Sequence, residues 1–242
     1  KIAIIDYQMG NLFSVKQACL HVGLEPVITS EKKIILEADA AILPGVGAFG
    51  EAMSQLRKMD LVDSIKEFVK SGKLFMGICL GMQLLFSQTE EFGIHEGIGI
   101  IPGKVVRFLQ SGEDKGKIKV PQVGWNQINY SSKIKSWEQT PLETVRVGEY
   151  MYFVHSFYVK AKNTNIIAGK TLYGNNNFCS AIEKNKFLLK SWGIIGYDNM
   201  PSSKIFHPKL SSIDTNLDKL AELSIEKLIT RIEILSLKKT YF

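Results

Sequence analysis

The fold is decided by one short stretch, LFMGICLGMQ at residues 74–83. Leu74–Ile78 is a continuous apolar run, Cys79 follows it, and the apolar residues of Met82–Phe86 predict a helix. The glycines on either side of the cysteine allow a sharp turn between strand and helix. Strand, tight turn and helix in this order indicate a parallel sheet, with the cysteine raised at the carboxyl ends of the strands.

The sequence before this stretch supports a parallel sheet. Short apolar strands are predicted at Ile2–Asp6, Pro26–Thr29 and Ala40–Leu43, and helical spacing occurs at residues 12–22 and 61–69. Apolar strands without alternation are buried on both faces. We therefore predict an α/β fold with a mostly parallel central sheet and helices on both faces.

After Pro102 the pattern changes to strands separated by Gly and Asn turns. Strands are predicted at 104–108, 122–129, 151–159, 166–171 and 178–183, and residues 173–177 read as a hairpin loop. These strands predict a smaller, partly antiparallel extension of the sheet. Helical spacing returns from Asp214, and without a visible repeat or linker we expect one domain over residues 1–242.

Composition excludes several classes of protein. Hydrophobic residues make up 45% of the chain, but none of its apolar runs approaches the roughly 18–20 residues that cross a bilayer. The net charge of +6 is scattered, whereas nucleic-acid binding needs a concentrated basic footprint. The three cysteines form no CxxC pair, so neither a disulfide framework nor a metal site is predicted. We expect a cytoplasmic protein that binds neither membranes nor nucleic acids.

The order glycine, any residue, Cys79, any residue, glycine is that of a nucleophile elbow with cysteine in the serine place. The amino end of the following helix favours the thiolate, which is the form that attacks an amide carbonyl. The alternative, a buried small hydrophobe, is the usual role of a lone cysteine and is the one expected for Cys19 and Cys179.

A second turn, PGVG at residues 44–47, also follows a predicted parallel strand. Its two glycines let backbone N–H groups turn toward a ligand, as an oxyanion hole requires. An ordinary strand-to-helix turn would look the same.

A cysteine nucleophile needs a general base, and histidine is the commonest. His21 lies on the first predicted helix and His95 in a loop rich in Glu and Gly. His155 and His207 each follow apolar residues, and the pattern alone does not separate them.

GICLGMQ at residues 77–83 resembles the nucleophile motif of triad-type, class I glutamine amidotransferases. Within that family, four segments resemble the glutaminase subunits of imidazole glycerol phosphate synthase. They are DYQMGNL at 6–12, LPGVGAF at 43–49, PQVGWN at 121–126 and YFVHSFY at 152–158. The resemblance covers residues 1–185, and residues 185–242 diverge.

The resemblance implies a role for each site residue. Cys79 would form a glutamyl thioester, and the match at Phe206-His207-Pro208 selects His207 as the base. The amides of Val46 and Leu80 would stabilise the oxyanion. Glutamine would be held by a further set, Gly45, Gly47, Gln83, Ser156 and Phe157.

The same resemblance implies a partner, a cyclase subunit with a (β/α)8 barrel. Trp125 and Tyr152 would lie at a gate facing that partner. Ammonia from glutamine would cross the barrel, giving imidazole glycerol phosphate and the carboxamide ribotide of histidine biosynthesis. No cofactor is implied.

Four positions depart from the family pattern. Lys209 stands where the triad has glutamate, and a nearby lysine would lower the pKa of His207 instead of stabilising its protonated form. Gln8 stands where glycine is usual, Phe13 where arginine is usual and Gln122 where histidine is common.

Three interpretations accommodate Lys209. The enzyme works with a dyad, or borrows a carboxylate such as Asp198 or Asp214. Alternatively, it is a paralogue whose ammonia serves the amidation or amidination of a surface sugar. In the third, the chain is a weakly active or inactive subunit kept for assembly.

Overall fold

The computed structural model describes residues 1–110, 118–132, 136–138, 140, 142–184 and 191–194. Several predicted features lie outside these residues: His207, Lys209, Asp198, Asp214 and the helix expected from Asp214 onward.

The first part of the chain alternates strands and helices, as predicted. The elements are β1 (Ile2–Ile5), α1 (Leu12–His21), β2 (Pro26–Thr29), α2 (Lys32–Glu37), β3 (Ala40–Leu43), α3 (Phe49–Lys58), α4 (Val62–Lys70), β4 (Leu74–Ile78) and α5 (Leu80–Leu84).

Strands dominate the remainder of the described chain. They are β5 (Phe86–Thr89), β6 (His95–Glu96), β7 (Ile101–Arg107), β8 (Gln122–Gln127), β9 (Asn129–Tyr130), β10 (Tyr150–His155), β11 (Phe157–Ala161), β12 (Ile167–Tyr173), β13 (Asn176–Lys184) and β14 (Ser191–Ile194). A short 3-10 turn, Thr164–Ile166, precedes β12.

The described strands form one large sheet and one small one. The large sheet runs β2-β1-β3-β4-β14-β13-β11-β7-β5-β6, with β12 beside β13 and β9 beside β12. Its first five strands are parallel, and antiparallel pairing begins where β13 meets β14. The small sheet is the antiparallel pair β8–β10. The predicted α/β fold with a partly antiparallel extension is confirmed.

Alternate residues of the parallel strands face two separate cores. Ile2, Ile4 and Met76 pack with residues of α1 on one face. Ala3, Ile5 and Phe75 belong to the larger core on the other face, which α2, α3 and α4 cover. Burial on both faces explains why these strands are apolar throughout.

Four features of the prediction are wrong, among them the strand predicted over 122–129, which is split at Ile128 into β8 of the small sheet and β9 of the large one. The helix after Cys79 ends at Leu84 instead of Phe86, because Phe86 begins β5. The strand predicted over 151–159 is two strands that meet at Ser156 and belong to different sheets. His95 lies in the short strand β6 rather than in a loop.

Candidate active site

Cys79 lies between β4 and α5 in a backbone conformation that side chains rarely adopt, with φ 55° and ψ −116°. Such strain persists only where the surrounding structure enforces it, and it is concentrated at functional sites. The thiol-bearing residue is half-buried, so a small substrate can approach it. The predicted elbow is present.

The two glycines of the elbow are required by close packing. A Cβ on Gly81 would lie 1.8 Å from the carbonyl oxygen of Leu43, and one on Gly77 would lie 2.8 Å from the backbone of Met82. Both contacts are with backbone atoms, which cannot move aside without distorting the neighbouring elements. These contacts press the start of α5 against the end of β3.

The PGVG turn lies against the same elbow. A Cβ on Gly45 would meet the Tyr7 hydroxyl at 2.4 Å and the Gly81 nitrogen at 2.9 Å. Gly47 has φ +99°, which favours glycine, and Val46 between them is exposed. The structure therefore brings the predicted oxyanion segment, Gly45–Gly47, next to Leu80 and Gly81.

Tyr7 is a residue of this region that sequence reasoning missed. Its ring is fully buried, and its hydroxyl has no hydrogen-bond partner among the described residues. Burial, with a smaller contribution from the nearby Cys79 charge, raises the pKa of Tyr7 well above its ordinary value. The phenol is therefore neutral at physiological pH and cannot serve as a base.

Glu91 is a second residue that the sequence did not reveal. Its carboxylate accepts a hydrogen bond of 2.7 Å from the backbone N–H of Phe49, at the start of α3. That contact holds the segment leaving the PGVG turn. Since the two residues are 42 positions apart, only the folded chain brings them together.

Gln83, Ser156 and Phe157, three of the residues expected to hold glutamine, lie close together. Gln83 is 6% exposed, and its side-chain nitrogen donates to the carbonyl oxygen of Phe157 at 3.1 Å. Ser156 lies between β10 and β11, and Phe157 is the first residue of β11. This hydrogen bond links α5, the helix of the elbow, to the backbone segment that is predicted to hold glutamine.

The described histidines have distinct surroundings. His21 lies on α1, as predicted, and is exposed there, whereas His95 packs over Gly50 at the start of α3. His155 is buried, and its Nδ1 lies 2.8 Å from the carbonyl oxygen of Phe157. Burial lowers the pKa of His155 to about 4. It is poorly suited to be a base, because its donor nitrogen is engaged and its basicity is low.

The strand β14 ends beside the elbow. It pairs with β4 in parallel, with Gly193 opposite Gly77 and Ile194 opposite Ile78. Ile194, the last residue of β14, is therefore level with Ile78, the residue that precedes Cys79. His207 follows in the sequence but lies outside the described residues.

The predicted gate residues are neighbours. Trp125 and Tyr152 are directly opposite in the β8–β10 sheet, and their rings make an edge-on contact with centroids 5.5 Å apart. Both are partly exposed on the face of this sheet that points away from the core.

The other two cysteines are structural. Burial raises the pKa of Cys19 and of Cys179 to about 12, so both thiols stay protonated and inert. In the described part of the chain, no group of three or more His, Cys, Asp or Glu residues could hold a metal ion. None of the described helices is long and apolar enough to cross a membrane.

Sequence comparison assigns the family. The model of the CobB/CobQ-like glutamine amidotransferase domain matches residues 1–129. The HisH subunit of imidazole glycerol phosphate synthase from Geobacter metallireducens is 42% identical over 188 residues, covering 77% of this chain and 87% of the relative. The chain belongs to the HisH family. The predicted enzyme class, a glutamine amidotransferase, and the predicted role as a histidine-biosynthesis glutaminase subunit are thereby confirmed.

Further relatives belong to the same family. HisH from Sulfurimonas denitrificans is 44% identical over 77% of this chain and 86% of the relative. HisH from Chlorobium chlorochromatii is 37% identical over 92% of this chain and 98% of the relative.

Solved structures support the fold. A glutamine amidotransferase crystal structure aligns with a TM-score of 0.61 and 14% identity, covering 94% of this chain and 99% of that one. The structure of PurLQS from Thermotoga maritima has the same TM-score and identity, covering 95% and 97%. At this identity the likeness concerns the fold alone.

Proposed function

We propose that Cys79 is the nucleophile of a glutaminase reaction. The single observation that carries this proposal is the strained elbow at Cys79, with the PGVG turn packed against it. The thiolate attacks the side-chain carboxamide carbon of glutamine. Ammonia leaves with a proton from the base, a glutamyl thioester remains, and water hydrolyses it to glutamate.

The backbone amides of Val46 and Leu80 would stabilise the oxyanion that forms during attack. Support comes from the packing of Gly45 against Gly81 and Leu80, which holds the two segments together. The helix dipole contributes less than the sequence suggests, because α5 has only five residues. Stabilisation by directed N–H groups is therefore the larger effect.

Gln83 and the backbone at Ser156 and Phe157, with Gly45 and Gly47, would hold the glutamine. The hydrogen bond from Gln83 to Phe157 supports this arrangement, because it brings the elbow helix and the strand break together. His207 is proposed as the base, on the resemblance of Phe206-His207-Pro208 to the family motif. The end of β14 lies beside the end of β4, which precedes Cys79.

The partner is proposed to be a cyclase subunit with a (β/α)8 barrel, docked on the outer face of the β8–β10 sheet. This face carries apolar and aromatic side chains: Val123, Trp125, Tyr150, Tyr152 and Val154. Val123 is 58% exposed and Tyr150 51% exposed, as befits a surface that a partner covers. Ammonia would pass at the Trp125–Tyr152 pair into the barrel. We also propose a cytoplasmic location, since sparse cysteines without a disulfide framework are typical of a reducing compartment.

Replacing the nucleophile tests this function. Cys79→Ala should reduce glutamine hydrolysis by the assembled synthase to below about 1% of wild type, as loss of a covalent nucleophile does. Binding of the cyclase subunit should be unchanged, because the side chain is not on the docking face. Cys179→Ala is the matched control and should keep its activity. Substantial hydrolysis by the Cys79 variant would overturn the assignment.

A further inference from the structure

The loop that follows β1 lies against the PGVG turn, and the proposed function gives this loop no role. A Cβ on Gly45 would meet the Tyr7 hydroxyl at 2.4 Å, and one on Gly47 would meet the terminal methyl carbon of Met9 at 3.0 Å. The DYQMGNL segment at 6–12, which the sequence singles out, therefore supports the turn at both of its glycines.

The contact between Tyr7 and Gly45 is close. Since a Cα–Cβ bond is about 1.5 Å long, a hydroxyl oxygen 2.4 Å from the Cβ position lies within about 4 Å of the Gly45 α-carbon. Tyr7 is fully buried, and its hydroxyl has no hydrogen-bond partner among the described residues. A buried hydroxyl without a partner destabilises the folded protein, which favours a role for it during the reaction.

The peptide between Gly45 and Val46 determines what that role is. A trans peptide is planar, so its C=O and its N–H point in opposite directions. When the Val46 N–H faces the oxyanion, as the proposed function requires, the Gly45 carbonyl points away from the substrate and into the protein. A carbonyl oxygen that is buried in this way requires a hydrogen-bond donor.

We propose that Tyr7 is a positioning residue for the oxyanion hole, whose hydroxyl donates a hydrogen bond to the Gly45 carbonyl oxygen while the Val46 amide faces the oxyanion. A carbonyl oxygen is roughly 2.4 Å from its own α-carbon, so rotation of this one peptide brings it to about 2.5–3.0 Å from the hydroxyl. Glycine at position 45 favours the rotation, because no side chain restricts it. This inference rests on the proposed function, in which the Val46 amide stabilises the oxyanion.

The chemistry of Tyr7 suits a donor. Burial, with a smaller contribution from Cys79, raises the pKa of Tyr7 well above its ordinary value, so the hydroxyl keeps its hydrogen throughout the reaction. In this proposal Tyr7 touches neither glutamine nor the sulfur and acts only through the orientation of the Val46 amide. Since the oxyanion forms during attack and not on binding, the effect falls on kcat and not on KM.

Deleting the hydroxyl tests the proposal. In the assembled synthase, Tyr7→Phe should lower kcat for glutamine hydrolysis about 3- to 10-fold, the range that one net hydrogen bond supports, while KM changes less than about 2-fold. Tyr130→Phe is the matched control, because it removes a hydroxyl from a ring that packs edge-on against Trp137 on β9, and it should keep the wild-type kcat. An unchanged kcat in Tyr7→Phe, or an equal fall in Tyr130→Phe, would overturn the proposal.

Two further measurements separate positioning from general support of the fold. Tyr7→Phe should resist urea at least as well as wild type, because the hydroxyl that it loses is unpartnered in the free site. Alkylation of Cys79 by iodoacetamide forms no oxyanion, so it should proceed at the wild-type rate in the variant. Slower alkylation, or a loss of stability, would assign Tyr7 to the elbow as a whole and overturn the specific role.

A structure of the wild-type synthase keeps the proposal falsifiable if the Phe variant does not fold. The thiohemiacetal of Cys79 with glutamate γ-semialdehyde carries an oxygen where the oxyanion would form. In a crystal structure of this adduct, the Tyr7 hydroxyl oxygen should lie about 2.5–3.0 Å from the Gly45 carbonyl oxygen, and a separation above about 3.5 Å would contradict the proposal. Failure of the proposed function is distinguishable, because Cys79→Ala would then retain glutaminase activity whatever residue occupies position 7.

Discussion

The elbow around Cys79 and the β8–β10 sheet are built on different principles. At the elbow, backbone packs on backbone, and glycines are required because a single methyl group would collide with Leu43 or Met82. In the small sheet, side chains divide between a buried face with Gln122 and His155 and an outer aromatic face. We therefore expect substitutions at the elbow to abolish folding or activity outright. Substitutions in the small sheet should reduce stability or binding by degrees.

The largest effect is expected at Gly81. Gly81→Ala places a methyl carbon against the Leu43 carbonyl oxygen, which neither backbone can avoid. We expect a loss of more than about 4 kcal/mol in the free energy of unfolding, or no folded protein. The control is Gly23→Ala, where the side chain enters open space and only the positive φ costs about 1 kcal/mol. Equal stability of the two variants in urea titration would contradict the packing account.

The next effect concerns the pH dependence of stability in the small sheet. His155 has a pKa of about 4 when folded and about 6.5 when unfolded, so between these values only the unfolded chain binds the proton. The free energy of unfolding should therefore fall as pH drops from 6.5 to 4, by up to about 3 kcal/mol from this residue. Above pH 6.5 His155 contributes no pH dependence.

Urea titrations at about pH 7.0, above this window, and at about pH 5.5 and 4.5, within it, measure the effect. His155→Gln should flatten the decline. Identical pH profiles for wild type and His155→Gln would show that His155 is not buried in its neutral form.

A third prediction sharpens the chemistry of the elbow. Lys209→Glu should raise glutaminase activity about 10-fold or more, roughly 1.4 kcal/mol of barrier, if position 209 orients His207. A carboxylate there would hold the imidazole and stabilise its protonated form. Steady-state rates of the two synthases decide this. An unchanged rate, with wild type already fast, would mean that another carboxylate such as Asp198 or Asp214 serves.

The smallest effect is expected on the outer face of the small sheet. Val154→Arg places a charge on the proposed docking face and should weaken cyclase binding about 3- to 10-fold, as single non-central interface changes do. Leu20→Arg is the matched control, since Leu20 is also exposed but lies near the carboxyl end of α1. Titration calorimetry measures both. Equal weakening of cyclase binding by the two variants would contradict the proposal that the cyclase docks on this sheet.

The sequence predicted the parallel strands and the elbow because both depend on local signals. Apolar runs of four or five residues and the glycines around Cys79 are visible without knowledge of the fold. The sequence also has glutamine at position 8, where glycine is usual in the family. Gln8 has φ 68°, a backbone conformation that favours glycine, so the structure explains why glycine suits that position.

What the sequence could not predict depends on long-range contacts. The burial of Tyr7 under Gly45 and the contact of Glu91 with Phe49 join residues far apart in the chain. The break at Ser156 was missed because neither glycine nor proline interrupts residues 151–159. Only the sheet assignment reveals that β10 and β11 part there and belong to different sheets.

The most direct test of the account is to trap the covalent intermediate. The wild-type synthase is mixed with glutamine and the cyclase ligand, quenched in acid within one turnover, and digested for mass spectrometry. The account predicts a glutamyl thioester on the peptide containing Cys79 and none on those containing Cys19 or Cys179. Ammonia release without any adduct at Cys79, or an adduct on another residue, would contradict it.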